Sequence, residues 1–91
     1  MKKRLGMIIT GHVQGVFFRD FVKTHATELG VTGYVRNMQD GRVEVVVEGE
    51  EEHLITLLEL CVKGPSSAHV TKIEKEWEEC TGEFNTFTIT Y

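Results

Sequence analysis

The sequence has no long apolar run, no extended basic patch, one proline and only two cysteines. Each scarcity closes off a class of protein. A membrane-spanning helix needs about 20 mostly apolar residues, but the apolar run Leu5–Ile9 contains Gly6 and stops at Thr10. Behind Lys2–Lys3–Arg4, that stretch is also too short for the apolar region of a secretory signal. Cys61 and Cys80 lack CxxC spacing, and small secreted domains usually carry more cysteines. Two free thiols in a cytoplasmic protein are therefore expected. His12, His25, His53 and His69 show no metal-ligand spacing with one another or with the cysteines, so no metal is expected. The net charge is −4, and beyond residues 2–4 the basic side chains form no stripe. This argues against nucleic acid as the main partner. A small anion stays open as a ligand, provided a local nest of donors overcomes the unfavourable global field.

What remains is an ordinary globular composition, 41% hydrophobic and 26% charged. The chain, 1–91, is expected to be a single domain. At this size roughly 60–65% of the unfolded surface is buried on folding, so a functional site belongs at a loop or an edge. Arg4–Thr10 alternates as a strand with Leu5, Met7 and Ile9 on one face. The glycine-containing stretch Gly11–Phe18 is expected to be a loop. Phe18, Phe21, Val22, Ala26 and Leu29 then follow a helical stripe that Gly30 ends. Val31–Met38 reads as extended, with Gly33, Val35 and Asn37 on one face, and Gln39–Asp40–Gly41 as a hairpin turn. Val43, Val45 and Val47 alternate with charged residues in the next strand. A second helix, Glu50–Lys63, presents Leu54, Leu57, Leu58, Cys61 and Val62 and ends at Gly64–Pro65. Val70–Glu79, with Ile73 and Trp77 on one face, and Phe84–Tyr91 complete the order as strands. Trp77 and the Phe residues are core candidates, with Phe17 and Phe18 alone among them as candidates to line a site. The pattern predicts an α+β ferredoxin-like βαββαβ sandwich: an antiparallel sheet, both helices on one face, and a short extra C-terminal strand. That plan hosts many activities, so function must be argued from a site.

The informative stretch is the passage from the first strand through Gly11–His12–Val13–Gln14–Gly15–Val16–Phe17–Phe18 into a helix opened by Arg19. A helix start offers unpaired N–H groups and partial positive charge. A tight loop before it turns further N–H groups inward. Arg19 is out of place by the dipole rule, since a cation in the first turn is unfavourable; an anion between loop and guanidinium offsets that cost. Arginine's planar fork of donors suits phosphate. A connector loop with a solvated arginine accounts for the generic spacing equally well, because Gly-x-x-x-Gly before a helix is a weak signal.

The residues Val13–Arg19, VQGVFFR, resemble the signature of the acylphosphatase family. The likeness continues through Leu29–Gly30, Gly33–Asn37 (GYVRN), Asp40–Glu44 (DGRVE), Glu48–Gly49, Gly64–Pro65 and Phe87–Ile89. The resemblance implies hydrolysis of the carboxyl–phosphate anhydride of acyl phosphates. It places the phosphate on the loop Val13, Gln14, Gly15, Val16, Phe17 and Phe18 together with Arg19, and the attacking water on Asn37. It implies no cofactor, a monomer, a small-molecule acyl phosphate as partner, and inorganic phosphate as product and competitive inhibitor. Many members carry a small residue where this chain has Phe17, a bulk that would narrow the loop or change its access. A carboxylate is a good leaving group with low proton affinity, so the chemistry needs positioning and charge stabilisation rather than a general acid.

Other polar residues have plainer roles. His12 is read as flanking the loop rather than as a base, and His25 as lying on the exposed side of the first helix. A carbamoyl-phosphate-handling domain of the hydrogenase-maturation type belongs to much longer chains with zinc-finger cysteines, which this sequence lacks. An RNA-binding ferredoxin-like module would need strand aromatics and a basic face. Neither is present. A binding-only relative is disfavoured because Arg19 and Asn37 are both there. The sequence leaves the neighbours of Tyr91 open.

Overall fold

The computed structural model describes residues 1–91. Seven elements follow in order: β1 (Lys2–His12), α1 (Phe18–Leu29), β2 (Thr32–Asn37), β3 (Val43–Glu50), α2 (Glu51–Lys63), β4 (His69–Glu79) and β5 (Phe87–Thr90). The sheet order is β4-β1-β3-β2-β5. The first four of these strands pair antiparallel, as the ferredoxin-like plan requires, and β5 pairs parallel with β2. The parallel pairing follows from chain direction. β4 runs against β1, whereas β2 runs with it, so a chain that reverses after β4 and crosses to the far edge meets β2 in the same sense.

The period-2 and period-3.6 patterns meet in one core. β1 contributes Leu5, Met7 and Ile9, β3 contributes Val43, Val45 and Val47, and β2 contributes Val35. The helices bring Phe18, Val22, Ala26, Leu54, Leu57 and Cys61. Each Val, Leu, Ile, Met or Phe among them contributes about 1.5–3 kcal/mol by leaving water. Gly30, at φ 72°, ends α1: its N–H donates to Thr27 O and the Val31 N–H to Ala26 O, both at 3.1 Å. Three expectations need correction. Trp77 shares a face with its register partner Leu5, but it is 39% exposed because β4 is an edge strand with nothing on its outer flank. Val62 lies at the exposed margin of α2's stripe. His25 is half-buried, its ring edge-on to Phe21 at 4.6 Å.

The chain between β4 and β5 must pass from one sheet edge to the other, and a buried carboxylate holds it there. Glu48, 3% exposed, accepts from the N–H groups of Thr81 (2.8 Å) and Gly82 (3.0 Å) and from the Thr81 hydroxyl (2.9 Å). The Cys80 thiol donates to it at 3.3 Å, and Arg4, its partner across the β1–β3 ladder, pairs with it at 3.2 Å. Both cysteines are free thiols. Burial alone would raise the Glu48 pKa, but the donors from Thr81, Cys80 and Gly82 outweigh it and bring the value from 4.5 down to about 2.

A carboxylate held below its unfolded pKa stabilises the fold fully above about pH 5 and loses that contribution as pH falls toward 2. Urea unfolding is therefore expected to show stability dropping across that window. Glu48→Gln, which sets an amide NH₂ against backbone donors, should cost about 2–3 kcal/mol at pH 7 and flatten the pH dependence. Equal stability of variant and wild type at pH 7 would contradict this role.

Candidate active site

The loop expected between β1 and α1 is shorter than its glycines suggest, because β1 continues to His12. A bulge between Thr10 and Gly11 carries it on. Gly11 has φ 140°, and a Cβ there would lie 2.0 Å from His69 O, so only glycine fits. The remaining loop, Val13–Phe17, alternates anchors and turns. Val13 and Val16 are buried, as is Phe18 at the start of α1. Gly15 takes φ 71°, with open space where a Cβ would stand. Phe17 takes φ 62° and is the only non-glycine residue with positive φ.

Two side chains fix this loop from outside. Gln14 Nε2 donates to Met38 O at 2.7 Å and Arg42 O at 2.9 Å, the two ends of the β2–β3 turn that follows Asn37. Ser67 Oγ donates to Val16 O at 2.8 Å. The N–H groups from Gln14 to Asp20, by contrast, donate no hydrogen bond within the protein; the first such bond into α1 runs from the Phe21 N–H to Phe17 O. The Val16 carbonyl is tied to Ser67 while the amides are left free, and free amides at a helix start can accept an anion.

Arg19 stands beside these amides. Of the four arginines, Arg4, Arg36 and Arg42 are each ion-paired to carboxylates. Arg19 forms no ion pair or hydrogen bond, and its guanidinium lies 5.0 Å from the centre of the Tyr91 ring. Asn37, on the same cleft, has a buried Oδ1 with no partner. An Asn that capped the following turn would use that oxygen, and Asn37 does not. The cleft encloses about 270 Å³ and is lined by Val13, Gly15, Phe17, Phe18, Arg19, Asp20, Asn37, Ile89 and Tyr91. It thus gathers Arg19, Asn37 and much of the loop. Gln14 turns away to the hairpin, and Phe18 is buried in the core, so that its backbone at the helix start is what it adds to the nest. His12 is exposed at the end of β1 and does not line the cleft. Sequence reasoning did not place Asp20 or Ile89 here; the parallel seating of β5 beside β2 is what brings Ile89 in, and alternation within β5 gave no sign of it.

Fold and cleft together define a ferredoxin-like protein with a cleft at the junction of its first strand and first helix, lined by Arg19 beside unpaired backbone amides. The sequence profile of the acylphosphatase family matches residues 5–89. An acylphosphatase of Pelotomaculum thermopropionicum is 42% identical over 90 residues, covering 99% of this chain and 98% of its own. The crystal structure of acylphosphatase from Bacillus subtilis superposes with a TM-score of 0.94 at 35% identity, covering 100% of both chains. HypF of T. kodakarensis is also similar, with a TM-score of 0.84 and 36% identity over 98% of this chain but only 12% of that one. The chain belongs to the acylphosphatase family, whose enzymes hydrolyse acyl phosphates.

Because Gln14 joins the loop to the hairpin, Gln14→Ala should lower stability by about 1–2 kcal/mol and kcat/KM by roughly tenfold or more through misplacement. Thermal melts and steady-state kinetics on one preparation check both. A variant with wild-type kinetics would show that the tether does not hold the cleft's geometry.

Proposed function

We propose that this cleft binds the phosphoryl group of an acyl phosphate between the amides of Val13, Gln14, Gly15, Val16, Phe17 and Phe18 and the guanidinium of Arg19, and that Asn37 positions the attacking water. The observation that carries the reading is Arg19: it is the one arginine without a carboxylate partner, and it stands beside amides that have none either. An anion there satisfies both at once and relieves the unfavourable placement of a cation in the first helical turn.

The reaction asks little more of the protein. Water attacks phosphorus in line as the bond between phosphorus and the acyl oxygen breaks. The carboxylate departs with the bonding pair, and the water's proton passes to a phosphate oxygen. The amides and Arg19 stabilise charge on the non-bridging oxygens as it redistributes. Asn37 suits the water because it is polar without adding negative charge beside a phosphate. As placed, Oδ1 is buried; the role calls for the amide to turn about χ2 and offer that oxygen to the cleft. Inorganic phosphate, the product, fits the same cradle and so inhibits competitively. The protein acts as a monomer, since every group invoked comes from one chain.

Two variants separate holding from attack. Arg19→Ala should leave a folded protein whose inhibition by inorganic phosphate is weakened by tenfold or more, since a charge-assisted bond is worth about 1.5–3 kcal/mol, and whose turnover is nearly lost. Asn37→Ala should keep phosphate inhibition close to wild type while kcat falls roughly 100-fold. A large drop in melting temperature with kcat retained would make Asn37 structural. Activity is expected to be insensitive to EDTA with more than one acyl phosphate. Its loss, and recovery with Mg²⁺ or Zn²⁺, would contradict the proposed mechanism.

A further inference from the structure

We infer that Phe17 and Tyr91 form a two-sided aromatic seat for the acyl group, which makes aromatic acyl phosphates the preferred substrate class of this cleft. The inference rests on the phosphate reading above and adds to it what holds the other half of the substrate. Three aromatic side chains are exposed, Phe17, Trp77 and Tyr91, and two of them line this one cleft. Phe17 is 77% exposed and Tyr91 97% exposed, so neither ring is there for the core.

Phe17 also bears a conformational cost. A bulky residue at φ 62° is strained by about 1 kcal/mol or more, where glycine or asparagine would be easier. Burial does not recover that cost, so the ring's value lies in what it meets at the cleft mouth. Tyr91 stands opposite in function. The Arg19 guanidinium carbon lies over its ring, 5.0 Å from the centre, in a cation–π contact. That contact uses none of the guanidinium N–H groups, which stay free for phosphate oxygens. A group esterified to a phosphate on those N–H groups therefore emerges beside the Tyr91 ring. Ile89, half-buried on β5, adds apolar surface to the same wall. A planar acyl group can stack or meet these rings edge-on, whereas an acetyl group is too small to engage both.

The test compares benzoyl phosphate with acetyl phosphate on the full chain. The variants are Tyr91→Ala, Tyr91→Phe and Phe17→Asn, the last chosen because asparagine tolerates positive φ. Wild type should favour benzoyl phosphate in kcat/KM. That preference should fall about fivefold in Tyr91→Ala and in Phe17→Asn, the scale of one aromatic contact, mainly through KM. Tyr91→Phe should restore it to within about twofold of wild type. Parallel losses on both substrates would mean that the rings only steady Arg19 and would overturn the seat, as would an unchanged ratio. If wild type hydrolyses neither substrate and inorganic phosphate does not bind, the phosphate reading itself fails and the seat fails with it. Turnover of both substrates with an unmoved ratio removes the seat alone.

Discussion

The side-chain amide of Gln14 donates to both ends of the β2–β3 turn, and the cleft depends on that bridge. The phosphate loop and Asn37 lie on separate elements, with β3 and the turn between them in the chain. The β1–β3 and β2–β3 ladders bring Ile9, near the end of β1, and Asn37 to the same residue of β3, Val43, and catalysis requires the loop beyond β1 to be held as closely. The Gln14 amide, donating to two carbonyls of the turn, ties the loop to it, while Ser67 holds the loop through Val16 O. With Val16 O tied to Ser67, the loop's amides are left without partners. The same constraint makes Phe17 tolerate positive φ, because the backbone between the buried anchors Val16 and Phe18 has little freedom to do otherwise.

A second buried polar group does the corresponding work at the other end of the sheet. Glu48 is surrounded by donors and costs the fold nothing unsatisfied, whereas Asn37 Oδ1 has no donor at all. A buried acceptor without a partner is expensive and rare in a folded protein, and the proposed role of Asn37 toward the attacking water gives this one a reason to persist. Glu48 matters to the cleft indirectly: it holds the Cys80–Gly82 segment, that segment leads into β5, and β5 carries Ile89 and Tyr91 to Arg19.

Much of this was legible in the sequence because the signals were local. The strand alternation at Leu5, Met7 and Ile9, the helical stripe from Phe18 to Leu29, and the stops at Gly30 and Gly64 all appear as expected. The misplaced charge of Arg19 singled out the junction of β1 and α1, and the family resemblance chose between an anion site and a plain connector there. What the sequence hid was long-range. The parallel seating of β5 follows from chain direction, and the exposure of Trp77 from its edge position; neither is a property of a neighbouring residue. Glu48 looked like one charge among several in an acidic stretch, since its donors come from more than 30 positions away. Gln14 sat inside the recognised motif, but its side chain turned out to serve the hairpin rather than the ligand.

The central claim is that the free amides around Gly15 and the unpaired Arg19 make one anion site. Titrating the ¹⁵N-labelled protein with inorganic phosphate, and following backbone amide and arginine Nε resonances, tests it directly. Saturable shifts should concentrate on the amides from Gln14 to Arg19 and on the Arg19 Nε, with Arg4, Arg36 and Arg42 unmoved in their ion pairs. Shifts spread over surface lysines, or none in that loop at saturating phosphate, would contradict the account.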